Sequence, residues 1–513
     1  MKDSFKQSMD WLHTWGGLLF GWLLFVIFFT GTLTVFDKEI TYWMQPELHH
    51  LTPGLPDIES AAQELARAAP HAERWWVELP HAREPVLKIY WEQAGATETR
   101  LLEPVSAARV QPRATQGGDF FYRFHYQLHL DRPGIWIVGA AAMVMLVALV
   151  SGVVIHRRIF TDFFTFRPTA SSHRAWLDIH NITGVLALPF HLMITFTGLM
   201  IFWPIYMPAG VDVFYKGNEA SAYAQLEQKF ERLPANVPAP LMPLVDLERR
   251  AHSYWRGGTT QWIEVKHPGD REALVEITRL PDDKLALVSD RVTFDGATGE
   301  VLQVWKGERP AFLTYSVMMG LHYLWFDKSI IRWLYFLMGL SATAMIATGL
   351  RLWTVKRRER HSPDGFLFGY RLVESLTVAV VAGLLVAVAV YFWANRLLPI
   401  ELANRALWEM ICFFLAWGGC ALHTMLLKNM ASIWRQQLSG SAALFLLLPV
   451  LNMVTTHTHL ITTLQKGMWI LASFDLVCFA AGILLGWTAW RIGRPVEVKA
   501  EPLGEATFEA GQT

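Results

Sequence analysis

Eight apolar stretches, each long enough or nearly so to cross a bilayer, constrain this chain more than any other feature. A hydrocarbon core takes about 20 residues of helix, and lipid leaves a spanning backbone only the helix or the closed barrel. The stretches run Trp11–Phe36, Ile135–Ile155, Trp176–Ile205, Ile331–Trp353, Ser375–Trp393, Trp408–Leu427, Ser441–Met453 (extending weakly to about Leu460) and Trp469–Trp490. Thr and His residues interrupt the end of the seventh. The first is too long, and too poor in a small-residue cleavage site, for a removable signal peptide, so it is expected to remain as an anchor.

Composition agrees. The 513 residues are 52% hydrophobic and 18% charged, where soluble domains carry roughly a quarter charged residues. Forty-five basic and 45 acidic side chains cancel, which excludes the cationic face of a nucleic-acid binder and the composition of a disordered chain. Lys and Arg near the helix ends set the orientation. Segments 1–10, 156–174, 351–371, 428–437 and 491–499 hold 17 of them, against 3 in the short alternates 394–405 and 461–467. The strongest anchor is Lys356, Arg357, Arg358 and Arg360. Both termini are therefore expected on the cytoplasmic side, with 37–128 and 206–312 outside. Cys412, Cys420 and Cys478 all fall in the expected membrane helices. The outward segments can form no disulfide, there is no Cys-based metal site, and no Cys-x-x-Cys-His excludes a thioether-linked haem.

The first 355 residues repeat themselves. WLHTWGGLLFGWLLFVIFFTGTL is answered by WLDIHNITGVLALPFHLMITFTGLM. His13 precedes Gly17 as His180 precedes Gly184, and the pairs Thr30-Gly31 and Thr197-Gly198 follow at equal distance. Each outward segment ends in a Leu-His pair, Leu128-His129 and Leu321-His322, and the next helices contain Ser151-Gly152 and Thr348-Gly349. The first outward segment reads as an amphipathic helix at Ile58–Ala68 followed by strands at Trp75–Leu79 and Val86–Trp91. The second reads as a helix near Leu244–Tyr254 with strands at Trp262–Lys266, Ala273–Thr278, Leu285–Ser289 and Arg291–Phe294. Tight turns fall within Asp295–Glu300. The expected fold is a polytopic α-helical membrane protein of about eight transmembrane helices, with two small α+β modules inserted in a duplicated two-helix unit. Its order is a first helix in 1–36, a module over 37–130, helices in 131–158 and 173–205, and a second module over 206–325. A fourth helix in 329–355, four more in 370–492 and a cytoplasmic tail at 493–513 complete it.

The paired His-x-x-x-Gly helices, the DGATGEVL turn and the Leu-His pairs resemble the PepSY-associated transmembrane family. The resemblance covers about residues 1–358 and leaves the last four helices outside. It implies PepSY-like periplasmic modules and a bacterial inner-membrane protein akin to ferric-siderophore reductases or iron-regulated membrane proteins.

An ionisable side chain within a membrane span is costly and points to function, and neutral imidazole is a common axial ligand of haem iron. His180 and His191 lie eleven residues apart on one helix, nearly on one face and about 16 Å apart along the axis, so that helix could serve two stacked haems. His13 and His180 lie near the cytoplasmic ends of their helices, as does His156. His129 and His322 lie near the outer ends. Repeat symmetry pairs His13 with His180 and His129 with His322. His191 breaks that symmetry, its counterpart being Leu24, and is an alternative member of the outer pair. His125 lies one helical turn before His129, as a substrate or supporting group. A single His at a helix end ordinarily serves as an interfacial or hydrogen-bonding residue; repetition at equal spacing is what favours ligation. No dinucleotide-binding glycine motif, Walker loop or His-Glu-x-x-His occurs, and the cytoplasmic loops are too short for a flavin or nicotinamide domain.

These readings lead to the expectation of an oxidoreductase with two haems b. It would pass electrons from a protein donor or membrane quinol to a periplasmic ferric siderophore or similar chelate. Two alternatives stand beside it. One is a non-enzymatic protein whose modules bind or regulate a periplasmic partner. The other is a transporter of iron or its chelates, for which internal repeats and polar midplane residues are a known signature.

Overall fold

The computed structural model describes residues 2–51, 54–156, 167, 172–255, 257–307, 309–325, 329–358 and 368–492; Arg360 of the basic anchor and the tail at 493–513 lie outside them. In chain order, α1 (Lys2–Thr34), α2 (Asp37–Met44) and α3 (Ile58–Ala68) precede β1 (Arg74–Glu78), β2 (Leu87–Gln93), β3 (Ala96–Leu102) and β4 (Arg109–Val110). Next come α4 (Asp119–Gln127), α5 (Asp131–Ile155), α6 (Ser172–Leu186) and α7 (Leu188–Ile201). Short helices α8 (Trp203–Tyr206), α9 (Ala209–Tyr215) and α10 (Glu219–Glu227) lead to α11 (Leu244–Ala251). Four strands follow, β5 (Thr260–Lys266), β6 (Leu274–Arg279), β7 (Arg291–Asp295) and β8 (Val301–Trp305). The chain then runs through α12 (Pro310–Tyr323), α13 (Ser329–Arg358), α14 (Phe368–Leu397), α15 (Arg405–Leu426), α16 (Met430–Thr455), α17 (Leu460–Gln465) and α18 (Trp469–Ile492).

Seven of these helices, α1, α5, α13, α14, α15, α16 and α18, are long and apolar enough to cross a membrane, and the chain is a polytopic membrane protein. The third expected span differs. It is two helices, α6 and α7, bent by 64° and an eighth crossing only as a pair. Pro189 in the first turn of α7 explains the break, because proline offers no N–H and its ring disfavours helix in the residues before it. The seventh span differs too, starting at Met430 rather than Ser441. Asn429 caps it by accepting a 3.1 Å hydrogen bond from the Ser432 N–H. The polar first turns stay helical because Gln437 is buried against α15, donating to the Cys420 carbonyl at 2.9 Å.

The two outward segments do not stay apart. Their strands form one eight-stranded antiparallel sheet in the order β4-β3-β2-β1-β5-β6-β7-β8. The join is β1 against β5, registered from Arg74 opposite Lys266 to Glu78 opposite Trp262. Strand alternation puts Trp75, Val77, Ile263 and Val265 on the buried face, where α3 and α11 cover them with Ile58, Leu65, Leu244 and Leu247. Asp57 caps α3 by accepting from the Ser60 N–H at 2.9 Å, and Asp295 closes the β7–β8 turn by accepting from Thr298. The expected strand at Leu285–Ser289 is instead an irregular link between β6 and β7 that touches α12, its Leu287 N–H donating to the Ser316 carbonyl.

Below the sheet the two repeat units interlock: α1 packs on α5 and α13, α6 on α13, and α7 on α5 and α12. α4 packs on α1 and α5. A single apolar core runs from these helices into α14, α15, α16 and α18.

Candidate functional site

Two cavities lie within the repeat, one at the end of the helices away from the sheet and one beneath it. The distal cavity has a volume of about 900 Å³ and is lined by His13, His180, His156, His173, Gly17 and Gly184 among others. The proximal cavity, of about 380 Å³, is lined by His125, His322, Tyr122, Tyr126, Tyr323 and Tyr335 among others. Leu24 of α1 lines both.

Each cavity brings together one pair of histidines. The His13 and His180 ring centres are 6.2 Å apart with planes crossed at 73°. Those of His125 and His322 are 6.1 Å apart with planes at 24°. The expected pair of His129 with His322 is therefore replaced by His125 with His322. α4 ends at Gln127, and Leu128 and His129 both take left-handed backbone angles (φ 53° and 54°). The chain turns there, and the His129 ring folds back to stack on Phe120 at 4.9 Å and bond its carbonyl at 3.0 Å. The repeat is thus registered by the His-Tyr dipeptides 125–126 and 322–323, a signal the Leu-His match obscured.

All four histidines sit in the same local structure. His13 Nδ1 is 2.8 Å from the Ala148 carbonyl, His180 Nδ1 is 2.9 Å from Met345 and His125 Nδ1 is 2.8 Å from Ile27. His322 Nδ1 is 3.1 Å from Thr197 Oγ1, which itself reaches the Ile194 carbonyl at 3.2 Å. Each carbonyl lies one helical turn before a glycine, Gly152, Gly349, Gly31 and Gly198 respectively, and the ring rests on that glycine. A Cβ at Gly152 or Gly349 would come within 3.1 Å of the ring, at Gly198 within 2.9 Å, and at Gly31 within 2.6 Å. The repeated Ser-Gly and Thr-Gly pairs of the sequence are these cradles.

The chemistry follows from the partner. A carbonyl only accepts, and the Thr197 hydroxyl gives its one proton to the Met193 carbonyl at 2.8 Å, so each Nδ1 carries the proton, and a neutral ring then keeps a free lone pair on Nε2. This is the arrangement by which a protein fixes the tautomer and orientation of a metal-ligating histidine. Two imidazoles bonded to one metal from opposite sides, at about 2 Å per bond, put their ring centres about 6 Å apart. Both pairs match that separation.

The remaining expected residues stand aside from the pairs. His156 ends α5 and lines the distal cavity with His173. His191 is fully buried on α7 and borders neither cavity. The Met338 carbonyl is near, but neither His191 ring nitrogen has a partner in hydrogen-bond alignment. At the mouth of the proximal cavity, Arg83 donates to Asp37 at 3.0 Å, to Glu39 at 2.7 and 2.9 Å and to the Val35 carbonyl at 3.2 Å, while Lys38 pairs with Glu84 at 3.4 Å. Burial would raise the Glu84 carboxyl, but a hydrogen bond to His81 and the charges of Lys88 and Lys38 hold it well below the usual range. Glu78, His81 and Glu84 form the one cluster of three or more metal-type ligands among the described residues, and those two lysines already neutralise it.

The chain is 26% identical over 409 residues to the uncharacterized protein PA4219 of Pseudomonas aeruginosa, an alignment covering 75% of this chain and 97% of that one. The family profile described as the PepSY-associated TM region matches residues 11–356, which takes in all four cradled histidines, and the chain belongs to that family.

Proposed function

We propose that the protein is a haem b-containing reductase of the bacterial inner membrane, carrying electrons from the cytoplasmic side or the quinol pool to a periplasmic ferric siderophore or similar chelate. The observation that carries this reading is the fourfold cradle, a histidine on a glycine with Nδ1 tied to a carbonyl, or at His322 to Thr197 Oγ1, and Nε2 left free, used twice in facing pairs. Two imidazoles leave four positions of a six-coordinate ion unfilled, and among the described residues no cluster of three ligands includes either pair. A planar tetrapyrrole supplies those four positions, and apolar cavities floored by glycine suit a flat macrocycle. His13 and His180 would hold one haem, His125 and His322 the other.

Haem iron, when bound, takes and gives one electron at a time. The protein's own contribution is to fix ligand planes, exclude water and keep the two sites in sequence across the bilayer. Lys6, Lys356 and Arg357 rim the distal cavity, which by the positive-inside rule supports a cytoplasmic position for that end and a periplasmic one for the sheet. The two sheet halves, each a helix with four strands, are read as PepSY-like modules that present the chelate to the proximal cavity. One electron converts the chelated Fe(III) to Fe(II), for which oxygen-rich ligands are a poorer match, and the metal is released without hydrolysis. The test is a dithionite-reduced minus oxidised spectrum of the purified protein with pyridine-haem quantitation. Two haems b per chain are expected, and a preparation without a Soret band rejects the reading.

A further inference from the structure

We infer that the C-terminal helical unit positions His125 through two of its helices, α14 and α15, which grip the segment that starts α4 and so set one ligand of the proximal pair. The inference rests on the proximal pair being a haem site, as proposed above.

α4 is only nine residues long, too short to hold its own geometry in isolation. Within its own unit the start of α4 is held by the Gly118 N–H donating to Thr41 Oγ1 at 2.9 Å, and the stretch just before it is held from outside the repeat. Glu409 of α15 is fully buried and accepts from Thr115 Oγ1 at 2.6 Å, from Asn395 Nδ2 at 2.8 Å and from Arg405 at 2.5 Å. Arg405, buried too, donates to the Ala114 carbonyl at 2.9 Å, and Arg113 donates to the Asn395 carbonyl at 3.0 Å. Tyr391 of α14 donates to the Gly117 carbonyl at 2.9 Å. Residues 113–117, immediately ahead of α4, are thus held at four points by α14, its end and α15.

The grip continues along the helix. Phe120 stacks on Tyr391 at 4.7 Å and meets Phe413 edge-on at 4.9 Å, and Phe124 packs against Phe413, Phe414 and Trp417. His125, the next residue, points the other way, onto Gly31. α12, which carries His322, is held differently. It has 14 residues, its Ser316 carbonyl is tied to the sheet link, Tyr315 bonds the Ile201 carbonyl, and Tyr335 bonds the Leu321 carbonyl. The second repeat unit supports its own proximal ligand, and the first borrows support from the C-terminal helices.

The experiment compares haem content and the electron paramagnetic resonance of each site in the purified full-length protein. His125→Ala first identifies the proximal signal. Tyr391→Ala and Glu409→Ala are then expected to reduce or shift that signal with the distal signal unchanged, and Tyr391→Phe, which keeps the ring against Phe120, is expected to restore most of it. Gln437→Ala, within the C-terminal unit but away from residues 113–124, serves as the control and should leave both signals as in the wild type. Unaltered proximal signals in both Tyr391→Ala and Glu409→Ala overturn the inference, as does equal loss of both signals in either. If His125→Ala retains two unchanged haems, the proximal reading itself is what fails, and this proposal falls with it.

Discussion

The distal and proximal sites use one device on two kinds of carrier. In the distal site His13 rides on the membrane-crossing helix α1 and His180 on α6, the first half of the bent pair that crosses only together with α7, and their rings cross at 73° within about 900 Å³. In the proximal site both histidines ride on short helices, α4 and α12, and their rings lie within 24° of parallel in about 380 Å³. The cradles differ in tightness as well, from 3.1 Å at Gly152 and Gly349 to 2.6 Å at Gly31. What is conserved between the sites is the bond that fixes the tautomer; what varies is the angle at which the ligand is delivered. The repeat therefore supplies the same tautomer-fixing contact in unequal surroundings.

The largest expected effects test the pairing. His13→Ala and His180→Ala should each remove the distal haem and leave the proximal one, so haem content falls by about half, measured by pyridine-haem assay. His125→Ala should do the converse. His129→Ala should keep both haems, and loss of one in that variant would restore the Leu-His register that the structure replaces. The cradles give a graded set. Gly31→Ala forces a methyl into the His125 ring, an overpacking cost of about 1–3 kcal/mol, and should lose most of the proximal haem. Gly152→Ala and Gly349→Ala meet a looser contact and should retain the distal haem with a shifted spectrum. If Gly349→Ala proves as damaging as Gly31→Ala, the difference in tightness between the sites is not real.

Ring orientation sharpens the same comparison without any substitution. Crossed ligand planes leave two iron d orbitals nearly equal in energy, whereas parallel planes split them. The oxidised distal site should therefore give a strongly anisotropic low-field resonance and the proximal site an ordinary rhombic low-spin spectrum. Two identical rhombic signals would contradict the crossed geometry held by the Ala148 and Met345 carbonyls.

Much of this molecule could be read from the chain, and the misreadings have specific causes. Membrane spans are set by local composition, so seven of them follow directly. Pro189 was visible in the third, but a proline in lipid is often tolerated, and only packing decides between a kink and the 64° break. Arg435 and Gln437 look like a loop until the buried hydrogen bond to Cys420 is known. Pairing of β1 with β5 joins residues nearly 200 apart, and alternation within each strand carries no information about that partner. Repetition singles out His13, His180 and His322, three of the four rings that face one another in the structure. His129 was preferred to His125 because the dipeptide matched, while the outcome turned on a left-handed residue at Leu128 that no apolar pattern announces. The carbonyl partners were beyond reach, since every main chain offers one at each residue.

The smallest expected effect separates the sites by their mouths. The proximal mouth carries the ion cluster of Lys38, Arg83, Asp37, Glu39 and Glu84, whereas the distal rim has Asp10 among several cations. Glu84 is held below its usual value by His81, Lys88 and Lys38 against the opposing effect of burial. A carboxyl depressed in the folded state contributes stability that is complete above its unfolded value and is lost as pH falls toward its folded value. Acidification below about pH 4.5, the ordinary value for this group, should therefore loosen the proximal mouth. Following each site's spectrum during an acid titration, the proximal one should change first, and Glu84→Gln should remove that early step. Simultaneous loss of both signals, unaffected by Glu84→Gln, would mean that the sheet's ion cluster has no hold on the proximal site.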